Sequence, residues 1–303
     1  AYLSAKAIDR RMRYNIAIDS TDLPVNPKYI NKVLAKGAVT YLSQSKWINQ
    51  VLIYCTSAAT IDSIRTLKFV KKVSPVGQLV PDGSNPDRFK ETVTPLNITE
   101  KVQKTTDSFN YGNSYKQVHI HNGEFLHKKG FTGNGITIAI LDAGFYKYKT
   151  IKAFDSARAH GQFLGEKDFV DFDNSVNEDY DHGEYCLSTI AANVPGVMVG
   201  TAPNASFYLL RSEDVNSELP IEEHNWAAAA EYADSCGADM ISSSLGYYQF
   251  DNAAFNHTYN DFYKNTAQST QAATFATRKG MIVTNSAGNE GASSWKYIIF
   301  PSD

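Results

Sequence analysis

Three residues in this 303-residue chain stand where reactive chemistry is easily built. Asp142 ends the apolar run 136–141 (ITIAIL). His182 sits in Asp181-His182-Gly183, at the mouth of the helical stretch 185–193. Asn289 lies in the Gly-flanked turn 286–291 (SAGNEG), directly after the apolar run 281–284 (MIVT). A carboxylate can take the N–H of an imidazole, fix its tautomer and stabilise the imidazolium. The imidazole can then strip the proton from a nucleophile, and an amide N–H₂ can donate to the oxyanion of a tetrahedral intermediate. Together they suit acyl transfer.

The elements that must position these groups can be read from the same stretch. The runs 136–141, 207–210, 240–243 and 281–284 are short, apolar and β-rich. They alternate with helical stretches at 185–193, 226–236 (stopped by Gly237) and 265–279 (stopped by Gly280). Such alternation predicts an α/β domain with a doubly wound parallel sheet. In an open parallel sheet ligands bind beyond the carboxyl ends of the strands. Asp142, the segment Ser244-Leu245-Gly246 and the turn holding Asn289 all follow strands.

The N-terminal part reads differently. A basic amphipathic helix is expected over 3–14. Asn26 and Pro27 form a helix start, with Gly37 as its stop. Strands at 39–42 and 51–54, a helix at 57–67 and a closing strand at 69–73 complete an α-β-β-α-β order. That is a small α+β, ferredoxin-like domain of residues 1–76. Residues 77–110, rich in Pro, Gly and polar side chains, read as a linker. Residues 111–303 hold the α/β pattern. The net charge of −3 hides an asymmetry: residues 1–76 carry 12 Lys/Arg against 4 Asp/Glu, a formal +8, and the rest carries −11. The basic part either meets nucleic acid or an acidic membrane surface, or docks on its own acidic partner domain. Hydrophobic content of 43% and charged content of 20% exclude a disordered or fibrous chain. No apolar run approaches the length of a membrane span.

The blocks 135–144 (GITIAILDAG), 181–192 (DHGEYCLSTIAA), 200–203 (GTAP), Ser244-Leu245-Gly246 and 286–291 resemble, in order and spacing, the subtilisin-like serine proteases. The stretch from Asp22 to Pro27 and Thr201-Ala202-Pro203 are similar to secreted subtilases of Bacteroidetes-type bacteria. The resemblance implies a secreted serine endopeptidase zymogen, in or beyond the cell envelope after loss of a signal peptide. In it Asp142 is the triad acid, His182 the triad base and Asn289 the oxyanion donor. Ser244, Leu245 and Gly246 pair with an extended polypeptide substrate. The 1–76 domain is an inhibitory, folding-assisting propeptide, and the linker carries a processing site between Val93 and Tyr111. The +8 segment then matches the −11 enzyme, without nucleic acid. No cofactor is required by this chemistry; structural calcium is possible.

Departures from the pattern matter too. Gly183-Glu184-Tyr185 replaces the usual Gly-Thr-His/Ser. No Gly-Thr-Ser-x-Ala/Ser-x-Pro helix start occurs in residues 1–303, and Ser188, Ser244 and Ser286 are misplaced for a nucleophile. The nucleophile is therefore expected beyond Asp303, in the remainder of the catalytic domain, and the 303-residue chain alone is expected to be inactive. The alternative is a non-catalytic, peptide-binding scaffold. A nucleotide-binding protein ranks last, because Asp142 sits where a phosphate loop would be needed.

Other features read as structural. Cys55, Cys186 and Cys236 are expected as packed free thiols. The acidic stretch Asp168, Asp171, Asp173, Glu178, Asp179 and Asp181 reads as a solvated loop rather than a calcium loop. Arg10, Arg11 and Arg13, with Lys71 and Lys72, read as solvated faces. The sequons at Asn97, Asn204 and Asn256 carry no meaning in a bacterial chain.

Overall fold

The computed structural model describes residues 2–77, 109–177 and 180–303. The chain divides into two units. One holds the described part of 1–84 with Ser217–Gly237 and Gly246–Asp303; the other holds the described part of 85–216 with Ala238–Leu245.

The first unit begins with helix α1 (Ala5–Arg13). Ser4 caps it by accepting the Ala7 N–H at 3.1 Å, and three arginines occupy its last turn, where the helix dipole favours cations. Helix α2 (Pro27–Leu34) starts as the Asn26-Pro27 pair dictates, with the Asn26 side chain accepting from the Lys28 N–H. Strands β1 (Thr40–Ser45) and β2 (Gln50–Tyr54) pair antiparallel, with a bulge between Tyr41 and Ser43. Helix α3 (Ala58–Arg65) follows, capped by Ser57. The closing strand expected at 69–73 does not form. Its groups are used otherwise: the Phe69 ring stacks on Tyr29 of α2 at 4.5 Å, and the Val70 N–H turns back to the Leu67 carbonyl. The domain is thus α+β with a two-stranded sheet. The expected processing linker lies almost wholly outside the described residues.

The second unit opens with the short helices α4 (Tyr115–His119) and α5 (Gly123–Lys128) and then enters strand β3 (Thr137–Asp142), buried at every position. Helix α6 (Asp155–Ala159), strand β4 (Phe163–Asp168), helix α7 (His182–Ala191), the small pair β5 (Asn193–Val194) and β6 (Met198–Val199), strand β7 (Ser206–Arg211) and strand β8 (Met240–Ser243) follow. Within this unit the sheet order is β4-β7-β3-β8, all parallel. Helix α7 lays Leu187 and Ala191 against Ile138, Ile140, Phe207 and Leu209 of the sheet, with Phe145 and Phe154 filling the same core. Asp168 is not in a solvated loop as expected: it is buried, and Arg211 of β7 donates to it at 2.7 Å and to Asp171 at 2.6 Å.

The rest of the first unit is built on helix α8 (Ile221–Cys236) and helix α9 (Gln268–Arg278), followed by strand β9 (Ile282–Asn285). Helix α8 buries not only Trp226 and its alanines but also Glu223, His224, Glu231 and Asp234. His224, Glu231 and Asp234 face residues of the N-terminal domain, whereas Glu223 pairs with His257 and accepts the Ser269 N–H at 3.2 Å. Ser45 and the N–H groups of Lys46 and Trp47 donate to Glu231, and Ser43 and Gln50 contact His224. Trp47 stacks on Phe275 of α9 at 5.8 Å. Both helices end in a left-handed glycine, Gly237 and Gly280, each with φ of 87°. A Cβ on Gly237 would come within 2.7 Å of Lys6, and one on Gly280 within 3.0 Å of Tyr14, so the missing side chains also seat α1.

Arg10 and Arg11 are not solvated, contrary to expectation: each is about 1% exposed and ion-paired to Asp234. Arg13 keeps to the surface, paired with Asp9. Lys71 and Lys72 are exposed.

Candidate active site

Asp142 is the last residue of the central strand β3 and is fully buried. His182 is the first residue of α7. The two meet because Gly183 lies between the helix start and the strand end. A Cβ there would stand 2.5 Å from the Gly144 carbonyl oxygen and 2.7 Å from the Asp142 Cβ. Only glycine lets α7 approach so closely.

His182 Nδ1 lies 2.7 Å from Asp142 Oδ1, which also accepts the Ala143 N–H at 2.8 Å. An ionised carboxylate only accepts, so Nδ1 carries the proton and Nε2 of the neutral ring carries the lone pair. Asp142 Oδ2 is buried without a hydrogen bond among the described residues, which leaves the carboxylate's second oxygen without a donor. Cys186, one helical turn further, places Sγ 4.0 Å from the same Nδ1. The oxygen, nitrogen and sulfur of Asp142, His182 and Cys186 lie within 4.8 Å of one another. Burial pulls the imidazole pKa down, but the hydrogen bond to Asp142 and the interaction with Cys186 outweigh it, so the pKa rises above its ordinary value. The pair is a base of increased strength, held in one tautomer.

Glu184, which departs from the usual motif, is buried in the first turn of α7. Burial, with the charge of Asp181 added, raises its carboxyl to about 7. Tyr185 is exposed and donates its hydroxyl to Asp181 at 2.9 Å.

Ser244 and Leu245 follow β8 in the second unit, with Leu245 buried; Gly246 opens the next stretch of the first unit. The three residues have no strand or helix of their own. Asn289 lies in the first unit. It has φ of −105°, so the left-handed position of this turn belongs to Gly288 (φ 88°) and Asn289 is not there for its backbone. Its exposed side chain makes no capping bond to the short turn Glu290–Ala292 that it precedes. Asp142 and His182 are in direct contact; Asn289, Ser244, Leu245 and Gly246 stand where their strands end. The sequence did not signal the burial of Glu184, which depends on what covers α7.

A family model described as the subtilase family matches residues 133–302, more than half of the chain. The chain belongs to the subtilase family. A second model, described as the peptidase S8 propeptide domain of Bacteroidota, matches residues 1–90. Among curated relatives, the minor extracellular protease Vpr of Bacillus subtilis is 32% identical over 176 residues, 55% of this chain and 19% of that protein. Thermitase of Thermoactinomyces vulgaris is 31% identical over 177 residues, 56% of this chain and 53% of that protein. Among solved structures, fervidolysin of Fervidobacterium pennivorans, a keratinolytic enzyme related to subtilisin, superposes with a TM-score of 0.59 at 18% identity, over 92% of this chain and 40% of that one. This likeness supports the subtilisin-like fold. This subtilase spans about half the length of thermitase and about a fifth of Vpr. No helix among its described residues is long and apolar enough to cross a membrane.

Proposed function

We propose that this subtilase is the zymogen of a secreted serine endopeptidase. The observation that carries the reading is the 2.7 Å contact between a fully buried Asp142 and Nδ1 of His182, which leaves Nε2 as the base. A serine outside residues 1–303 is the nucleophile. Its Oγ attacks the scissile carbonyl as Nε2 takes the hydroxyl proton, and the Asn289 amide donates to the oxyanion. The imidazolium, stabilised by Asp142, passes that proton to the leaving amine. Water then repeats the sequence on the acyl-enzyme and regenerates the serine. One oxyanion donor is worth about 10²–10³ in turnover. The backbone of Ser244, Leu245 and Gly246 pairs with the extended substrate. Residues 1–76 inhibit and assist folding, and cleavage falls between Val93 and Tyr111, in the linker 77–110. Residues 111–303 are the N-terminal portion of the catalytic domain. The name of Vpr, an extracellular protease, supports export of this chain as well.

A fluorophosphonate probe tests this. The full-length gene product should be labelled on a serine after residue 303, and the 303-residue chain should not. A full-length product that resists labelling, yet binds peptides, would make the protein a scaffold. N-terminal sequencing of the matured protein should find a start within 93–111.

A further inference from the structure

The C-terminal ends of α8 and α9 meet the same two side chains. Arg10 donates from Nε to the Lys279 carbonyl at 3.1 Å, and from a terminal nitrogen to the Asp234 carbonyl at 3.1 Å and to the Asp234 carboxylate. Arg11 donates to the Lys279 carbonyl at 2.8 Å and to the other Asp234 oxygen at 2.7 Å, then reaches Asp22 at 2.9 Å. Asp234 lies in the last turn of α8, and Lys279 is the C-cap of α9. The last carbonyls of a helix have no intrahelical donor and carry the negative end of its dipole. Two such ends plus one fully buried carboxylate make an electronegative pocket at the surface of two helices. Lys279 turns its own ammonium away, to Asp22 at 2.9 Å and Asp19 at 3.2 Å.

We propose that the ends of α8 and α9, with Asp234, form a guanidinium-binding site whose ligand is the vicinal pair Arg10–Arg11, and that this site selects the N-terminal segment that packs on these helices. The inference does not depend on proteolysis. Arginine is required, not merely positive charge. Arg10 reaches both helix ends from two nitrogens of one planar fork, and a lysine offers a single nitrogen. Burial makes the requirement strict, because a buried charge left short of partners is strongly destabilising. Asp22 completes the site from the ligand side, since it neutralises Lys279 while bracing Arg11.

Hydrogen exchange on the 303-residue chain tests the site. The charge-conserving double variant Arg10→Lys/Arg11→Lys should speed exchange across residues 5–13 at least tenfold, while strand β3 (Thr137–Asp142) stays as protected as in the parent. Asp234→Asn should do the same, and Arg13→Lys should change nothing. Should the double variant also lose protection in β3, Arg11→Lys alone, which leaves Arg10 in place, decides by the same readout. A change below threefold in residues 5–13 for the lysine variant with β3 protected would overturn the proposal, since charge alone would then hold the segment.

Discussion

Cys186 Sγ stands 4.0 Å from the nitrogen of His182 that faces Asp142. The thiol therefore shares the proton-holding edge of the imidazole, the edge away from Nε2. Its interaction is among the causes that raise the His182 pKa. Cys186→Ser should lower that pKa, and Cys186→Val should lower it further, since an apolar group gives no polar support to the imidazolium. An NMR titration of the His182 ring in the 303-residue chain checks this. In the full-length gene product, on the proposed mechanism, the acid limb of kcat/KM should move down in pH by the same shift.

Asp142→Asn keeps the shape and removes the charge. An amide can donate to Nδ1, which favours the tautomer with its proton on Nε2, so the base is lost along with the stabilisation of the imidazolium. The pKa of His182 should fall towards or below its ordinary value, with the sheet intact. Turnover of the full-length protein should drop about 10⁴-fold. NMR on the short chain and kinetics on the long one separate the electrostatic loss from misfolding.

What was legible in the sequence was what local chemistry decides. Strand β3 could be read because five buried positions in a row, Thr137 to Leu141, demand small or apolar residues, and Asp142 stands at its end. Strand β4 could not. Its residues Gly165, Glu166 and Lys167 resemble a loop, yet Gly165 is there because a Cβ would press on the Tyr208 ring at 3.1 Å, and Glu166 because Tyr148 and Lys149 bond it. Phe69 looked like a strand residue until α2 supplied the ring it stacks on. Arg10 and Arg11 looked solvated because nothing within their own helix shows that Asp234, more than two hundred residues away, covers them. Residues whose partners are distant in sequence were the ones misread.

Glu231 holds the turn between β1 and β2. It is nearly buried, and it accepts the Ser45 hydroxyl and the N–H groups of Lys46 at 2.8 Å and Trp47 at 3.1 Å. Glu231→Ala leaves those donors unpaired and should cost about 3 kcal/mol. Glu231→Gln keeps one acceptor oxygen and should cost less. Urea unfolding of the two variants checks the order, and a larger loss in the glutamine variant would contradict it.

His224 makes the packing of the N-terminal domain on α8 sensitive to acid. Its Nδ1 faces the Gln50 amide nitrogen at 2.8 Å and its Nε2 faces the Ser43 hydroxyl at 2.6 Å. Gln50 Nε2 is a donor, so Nδ1 must be the unprotonated atom and Nε2–H must donate to Ser43. The groups that face the ring from β1, β2 and, through Gln50, from Gln268 of α9 are all uncharged. Of its neighbours on α8, Glu223 is paired with His257, and Glu231 is held by the β1–β2 turn. Burial therefore lowers the His224 pKa to about 4. In the unfolded chain the ring takes a proton near pH 6.5, but in the folded chain only near pH 4. The unfolded state thus binds more protons between these values. Stability is full above pH 6.5 and falls on acidification by about 1.4 kcal/mol per pH unit until about pH 4. His224→Gln, which cannot titrate, should flatten that slope between pH 6.5 and 4 in urea unfolding of the 303-residue chain. An unchanged slope would assign the acid sensitivity to the carboxylates instead.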